Sequence, residues 1–281
     1  MGNDDCKVWF ITGANKGLGA AIAREALAGG CKVVAAARNP DSVRQALGES
    51  ANLLCVKLDL TDEGQIKAAA GRALDVFGRI DVLVNNAGYG LLGYFEEMSE
   101  AQIRRQIETN LFGTMSLTRA VLPGMRERGA GWVVTVTSTS GIRAVAGGSV
   151  YSASKFALEG WVEGMRIDCE PLGVKWMLVE PGAFRTDFLN EKASTEFPDM
   201  NVAGYDGLRD AIHNVFAANN GKQPGDPAKL ARVLMTALGA ETPPLRLVAG
   251  KGAVDGIAKY YAERLREFEA WKDVSASTDF D

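Results

Sequence analysis

The 281-residue sequence predicts an α/β fold, a doubly wound parallel sheet of seven strands with helices on both faces. Three observations carry that prediction. Short apolar runs alternate with longer stretches of helical spacing. Most of the runs lack polar–apolar alternation, so they read as strands buried on both faces. A glycine-rich turn follows the first run and opens a helix.

Taken in order, the first strand is VWFIT (8–12). It runs into TGANKGLG (12–19), and a helix is expected from about Leu18. KVVAAA (32–37) and LLCVKLDL (53–60) are the second and third strands, followed by helical spacing over Gln65–Phe77. IDVLVNN (80–86) is the fourth, and Ala101–Leu122 reads as the helix after it. WVVTVTS (132–138) is the fifth, with a helical pattern running on from VYSASKFALEGW (150–161). VKWMLVE (174–180) is the sixth and LRLVAG (245–250) the seventh. Between the last two, the alternation breaks over Asp187–Pro227, a polar stretch containing AANNGKQPGDP; a long insertion of this kind is expected to form a lid or binding loop. A further helix is expected over Val254–Trp271, within a C-terminal extension of about 252–281. No linker divides the chain, so residues 1–281 are expected to form one catalytic, nucleotide-binding domain.

The bulk numbers narrow the function. The chain is 47% hydrophobic and 23% charged, with a net charge of −4, which suggests neither a nucleic-acid nor an anionic-membrane partner. No apolar run reaches the roughly 18 residues of a membrane helix. The start, MGNDDCKVWFITG, carries acids where a signal peptide carries positive charge. Gly2 fits a myristoylation start, but Cys6 stands where Ser or Thr is wanted. Cys6, Cys31, Cys55 and Cys169 have neither metal-like nor redox spacing and read as reduced thiols of a cytoplasmic protein. A single histidine, His213, argues against a histidine-rich metal site and a histidine-based triad.

Two patterns carry chemistry. Gly13, Gly17 and Gly19 sit between a strand and a helix, where glycine allows a tight turn and close approach to a pyrophosphate at the helix N-terminus. Tyr151 and Lys155 lie one helical turn apart. A free tyrosine has a pKa near 10. A neighbouring ammonium favours the phenolate, so Lys155 is expected to lower the Tyr151 pKa and make it a general acid or base.

Together TGANKGLG (12–19), NNAG (85–88), Ser138, YSASK (151–155) and PGAFRT (181–186) resemble, in order, the pattern of the short-chain dehydrogenase/reductase family over about residues 7–187. The resemblance implies a Rossmann fold and an oxidoreductase that moves hydride between a nicotinamide and a carbonyl or secondary alcohol. It implies Tyr151 as proton donor or acceptor, Ser138 on the substrate oxygen, and Lys155 on the ribose. Asn110 in ETNLFG matches an asparagine expected to hold a relay water. Asn15, Lys16, Leu18, Asp59, Leu60, Asn86, Ala87 and Gly88 are expected around the nucleotide. Pro181, Gly182, Phe184 and Thr186 are expected beside the nicotinamide. Ala37 replaces the acid that usually meets the 2′-hydroxyl in NAD enzymes, and Arg38 and Lys16 could hold a 2′-phosphate, so NADP (NADPH) is the expected cofactor. No metal is expected.

Substrate contacts are expected from Tyr89, Leu91 and Leu92, from Ser138, Ile142 and Val145, and from Phe184 and Phe188. This largely apolar set suggests a lipophilic or aromatic carbonyl or alcohol. The extension resembles longer members related to retinol and hydroxysteroid dehydrogenases. A homodimer is expected through the helices around 101–122 and 152–169. Two rivals differ in class. An epimerase or dehydratase usually shows GxxGxxG and a larger C-terminal domain. A non-enzymatic NADP(H) sensor is expected to lose Tyr151, Lys155 or Ser138, and all three are present.

Overall fold

The computed structural model describes residues 7–191 and 193–280. The expected readings of Gly2 and Cys6 fall outside them. Chain order is β1 (Val8–Thr12), α1 (Gly17–Ala28), β2 (Lys32–Ala37), α2 (Pro40–Leu47), β3 (Leu53–Lys57), α3 (Glu63–Phe77), β4 (Val82–Asn85) and β5 (Gly90–Leu91). There follow α4 (Glu100–Ile107), a π-helical turn (Glu108–Phe112), α5 (Gly113–Arg128), β6 (Gly131–Val136), α6 (Ser149–Cys169) and β7 (Val174–Pro181). The chain continues through β8 (Thr195–Glu196), α7 (Asp206–Asn219), α8 (Pro227–Leu238), β9 (Arg246–Ala249) and α9 (Lys251–Ala276).

Among the described residues the main sheet has seven strands in the order β3-β2-β1-β4-β6-β7-β9, all parallel. Alternate strand residues point to opposite faces. Trp9, Ile11, Val33 and Ala35 therefore meet Ile22 of α1, Val43 of α2 and Leu230 and Leu234 of α8. Phe10 and Val34 meet Ile66 of α3, Leu117 and Val121 of α5, and Val162 of α6. Both faces of the sheet are thus covered by apolar helix stripes, which is why the strands read as continuous hydrophobic runs. Connections leave β1 towards β2 on one side and reach β4 on the other, and a crevice opens at this switch point above the carboxyl ends of the strands.

Three departures from the sequence reading matter for the site. The expected helix over 101–122 is broken by the π-helical turn that carries Asn110. The 187–227 segment holds a helix, α7, and a short strand, β8, that pairs with β5. The last helix is longer than expected and buries Ile257 while Tyr261, Leu265, Phe268 and Trp271 stand exposed. Cys55 and Cys169 form no disulfide. No helix among the described residues is long and apolar enough to cross a membrane.

Candidate active site

A cleft of about 1610 Å³ runs along the carboxyl edge of the sheet. Its floor is the glycine turn after β1. Gly13 has φ +64° and Gly17 φ +56°, conformations that L side chains rarely adopt. A Cβ on Gly19 would lie 2.4 Å from the Gly13 carbonyl oxygen and 2.5 Å from Asn86 Nδ2, so this glycine lets the turn pack against the end of β4. Thr12 Oγ1 accepts from the N–H groups of Asn86 and Ala87, and Asn86 Nδ2 donates to the Thr12 carbonyl, tying NNAG to the turn. Helix α1 starts at Gly17 with no side-chain cap, whereas Asn39 and Asp62 cap α2 and α3. Its first N–H groups remain available to an anion at the positive end of the helix dipole. These features fit a dinucleotide pyrophosphate.

Around this floor the cleft is lined by Asn15, Lys16 and Leu18, by Ala37 and Arg38 after β2, and by Asp59 and Leu60 after β3. Ala87 and Gly88 follow β4, and Pro181, Gly182, Phe184 and Thr186 end β7. Asp59 is held by Thr61, whose N–H and Oγ1 both donate to Asp59 Oδ1. A Cβ on Gly17 would lie 3.3 Å from Thr186 Cγ2, so the glycine turn and the PGAFRT turn face one another. Lys16, expected at a 2′-phosphate, already has a protein partner. Its Nζ donates to the Ala193 carbonyl at 2.8 Å, and burial lowers its pKa while Asp187 opposes that.

Ser138, Tyr151 and Lys155 line the same cleft. β6 delivers Ser138 at its carboxyl end, and α6 carries Tyr151 and Lys155 on its buried face. Lys155 Nζ donates to the Val136 carbonyl at 3.0 Å and lies 5.8 Å from the Tyr151 ring centre. The expected lowering of the tyrosine pKa is corrected here. Burial pushes Tyr151 up to about 12, and a hydrogen bond with Ser138 pulls the other way without winning. The same burial brings Lys155 down to about 8, against the charge of Glu159. Desolvation therefore dominates both shifts.

Asn110 lies beneath the cleft lining. Its Oδ1 accepts from Tyr89 N–H, and its Nδ2 donates to the Tyr89 carbonyl and to Ser154 Oγ. A Cβ on Gly88 would come within 3.0 Å of Asn110 Oδ1 and 3.8 Å of Lys155 Nζ, so the missing side chain keeps a gap between the two.

The remaining wall is apolar. Tyr89, Leu92, Val145, Phe184 and Phe188 line it, and the Phe188 ring lies 5.5 Å from that of Tyr151. Two expected substrate residues do not line it. Leu91 is wholly buried and packs with Met98 and Val150, because β5–β8 pairing turns it into a small separate core. Ile142 is buried behind the turn after Ser138. Phe197 and Phe216 line the cleft from the 187–227 segment and were missed. The amphipathic spacing of α7 was the available signal for Phe216.

The sequence profile of the short chain dehydrogenase family matches residues 7–196. The chain belongs to that family. An oxidoreductase of Botryotinia fuckeliana named BOA17 is 32% identical over 97% of this chain and 99% of its own. Bovine retinol dehydrogenase 8 is 36% identical over 67% of this chain and 69% of its own. Among solved structures, a short-chain dehydrogenase from Streptomyces avermitilis superposes with a TM-score of 0.88 at 40% identity, covering 98% of this chain and 99% of that one. A Burkholderia phymatum short-chain dehydrogenase/reductase in complex with NAD has a TM-score of 0.79 at 25% identity, covering 95% and 97%. An alcohol dehydrogenase from Thermococcus sibiricus complexed with 5-hydroxy-NADP has 0.69 at 26%, covering 87% and 96%. These two neighbours thus hold nicotinamide dinucleotides of both kinds.

Proposed function

We propose that this chain is an NADP(H)-dependent carbonyl reductase or alcohol dehydrogenase acting on a lipophilic or aromatic substrate. The observation that carries this reading is the convergence of Ser138, Tyr151 and Lys155 on one cleft with the glycine turn. Bound nicotinamide supplies or accepts the hydride. Tyr151 gives its proton to the carbonyl oxygen in reduction and takes it back in oxidation. Ser138 donates a hydrogen bond to the same oxygen and stabilises the charge that develops there. Lys155 holds the ribose hydroxyls, and Asn110 anchors a water in the gap beside Gly88. Exclusion of water by Phe188 strengthens each of these interactions.

The cofactor choice rests on Ala37 and Arg38. An alanine at the end of β2 removes the repulsion that an acid would exert on a 2′-phosphate, and the exposed Arg38 supplies a guanidinium fork. The substrate class rests on the apolar wall from Tyr89 to Phe216.

The test is consumption of NADPH against NADH over aromatic, steroidal, aliphatic and sugar carbonyls, with Tyr151→Phe beside the wild type. NADPH oxidation over the aromatic or steroidal members, with a loss of about 10³-fold in Tyr151→Phe, is the expected result. A preference for NADH overturns the cofactor assignment. Equal turnover by Tyr151→Phe overturns the mechanism.

A further inference from the structure

Behind Tyr151 and Lys155 lies a second set of ionisable groups that the hydride reaction does not use. Tyr151, Lys155, Glu159 and Glu163 recur every four residues along α6 and form one stripe. Glu159 is 8% exposed; its Oε1 accepts from Thr137 Oγ1 at 2.6 Å and its Oε2 from Arg246 Nε at 3.1 Å. Thr137 precedes Ser138, so the strand that delivers the serine also fixes this carboxylate. Glu180 of β7 is wholly buried next to the cleft-lining Pro181, and neither of its carboxyl oxygens has a donor. Arg246 of β9 lies 3.6 Å from Glu180 Oε1 and also pairs with Glu163 at 2.5 Å. Tyr261 of α9 faces the group, its pKa pushed up by burial and then by the charge of Glu180.

Glu159 and Glu180 are buried carboxyls that share Arg246, whose other partner, Glu163, is more than half exposed. Full ionisation sets two like charges against each other away from water and leaves Glu180 with no donor, which is costly. A proton on Glu180 removes that repulsion and gives its carboxyl a donor towards Glu159. Burial and the neighbouring Glu159 both push Glu180 up, to about 8. Glu159, with donors from Thr137 and Arg246, keeps the negative charge of the pair.

We infer that Glu159, with the protonated Glu180 set against it, is a positioning residue whose charge keeps Lys155 an ammonium in the desolvated site and so fixes the pH range in which Tyr151 can donate its proton. The inference rests on the acid–base assignment of Tyr151 and Lys155 above. No bond other than a hydrogen bond changes: the proton stays on Glu180, and Glu159 acts on Lys155 through its field.

The experiment pairs two measurements on Glu159→Gln and Glu163→Gln. One is the pH profile of carbonyl reduction, with Tyr151→Phe alongside. The other is the titration of the Lys155 amine in the ligand-free protein by ¹⁵N NMR, assigned with Lys155→Arg. In Glu159→Gln the Lys155 titration and the alkaline limb of reduction both move down by about one pH unit, roughly a tenfold loss of rate well above the midpoint. Glu163 is more than half exposed and a turn farther along α6, so Glu163→Gln leaves both in place. A folded Glu159→Gln with wild-type titration and limb overturns the inference. An equal shift in Glu163→Gln overturns it too, since a diffuse field would then suffice. If Glu159→Gln does not fold, the wild type decides: the Glu159 carboxyl ¹³C resonance must report the Lys155 step, and a flat response overturns the proposal. Wild-type turnover by Tyr151→Phe would sink the acid–base assignment, while the ligand-free Lys155 titration still judges the field of Glu159.

Discussion

Ala37 is the residue on which the cofactor assignment turns. It ends β2 at the lip of the cleft, and Arg38 follows it. Ala37→Asp places a carboxylate where the 2′-phosphate would lie, so kcat/KM for NADPH should fall by about 100-fold while that for NADH falls far less, as steady-state kinetics with both nucleotides will show. Gly19 is the residue on which the glycine turn depends. Gly19→Ala drives a methyl into the Gly13 carbonyl and Asn86. It should cost about 1–3 kcal/mol in denaturant unfolding and abolish nucleotide binding measured by titration calorimetry. At this scale the spacing of Tyr151 and Lys155 was legible, because i and i+4 share a helix face whatever surrounds them. The sign of the Tyr151 shift was not. It depends on how completely α6, Ser138 and Phe188 exclude water, and burial is set by contacts between residues far apart in sequence.

At the scale of elements, the strands of the main sheet were legible because burial on both faces leaves a dense apolar signature. The π-helical turn was not, since its side chains keep nearly the spacing of the α-helices it joins. The β5–β8 pair was also invisible: two-residue strands have no period to read, and their pairing joins Gly90 to Thr195 across the chain. That pair, together with α7, fastens the 187–227 segment. Glu97 is almost wholly buried and accepts from Arg209 Nε at 2.9 Å, from Arg209 Nη2, and from Val202 N–H. The guanidinium and that N–H hold the Glu97 carboxyl below the usual carboxylate range. Arg209→Ala removes the guanidinium from α7 and should loosen residues 197–210. KM should rise by about fivefold, the worth of ~1 kcal/mol, with kcat little changed, and limited proteolysis should cut this segment sooner.

For the whole molecule, the Glu180 carboxyl makes stability depend on pH. Its folded value, about 8, lies above its ordinary value of 4.5, so between these limits the native state keeps a proton that the unfolded chain has lost. The stability it contributes is fully present below about pH 4.5 and is lost as pH rises towards 8. Glu180→Gln keeps a donor for Glu159 but cannot ionise, so the unfolding free energy should decline between pH 5 and pH 8 by about 2 kcal/mol less than in the wild type. Chemical denaturation at several pH values checks this, and parallel slopes would contradict it. The parallel sheet itself constrains how the chain is made. Trp9 pairs with Val82, so β1 waits for some seventy residues of further synthesis before its inner neighbour exists. Arg246, the cation shared by three carboxyls, is made well after all of them. Until then the nascent chain carries Glu159, Glu163 and Glu180 without their shared counter-charge, and the face of β7 that later receives β9 stays open to wrong partners. Until β9 is added, the chain holds its glycine turn and its tyrosine but lacks the cation that settles the carboxyls behind them.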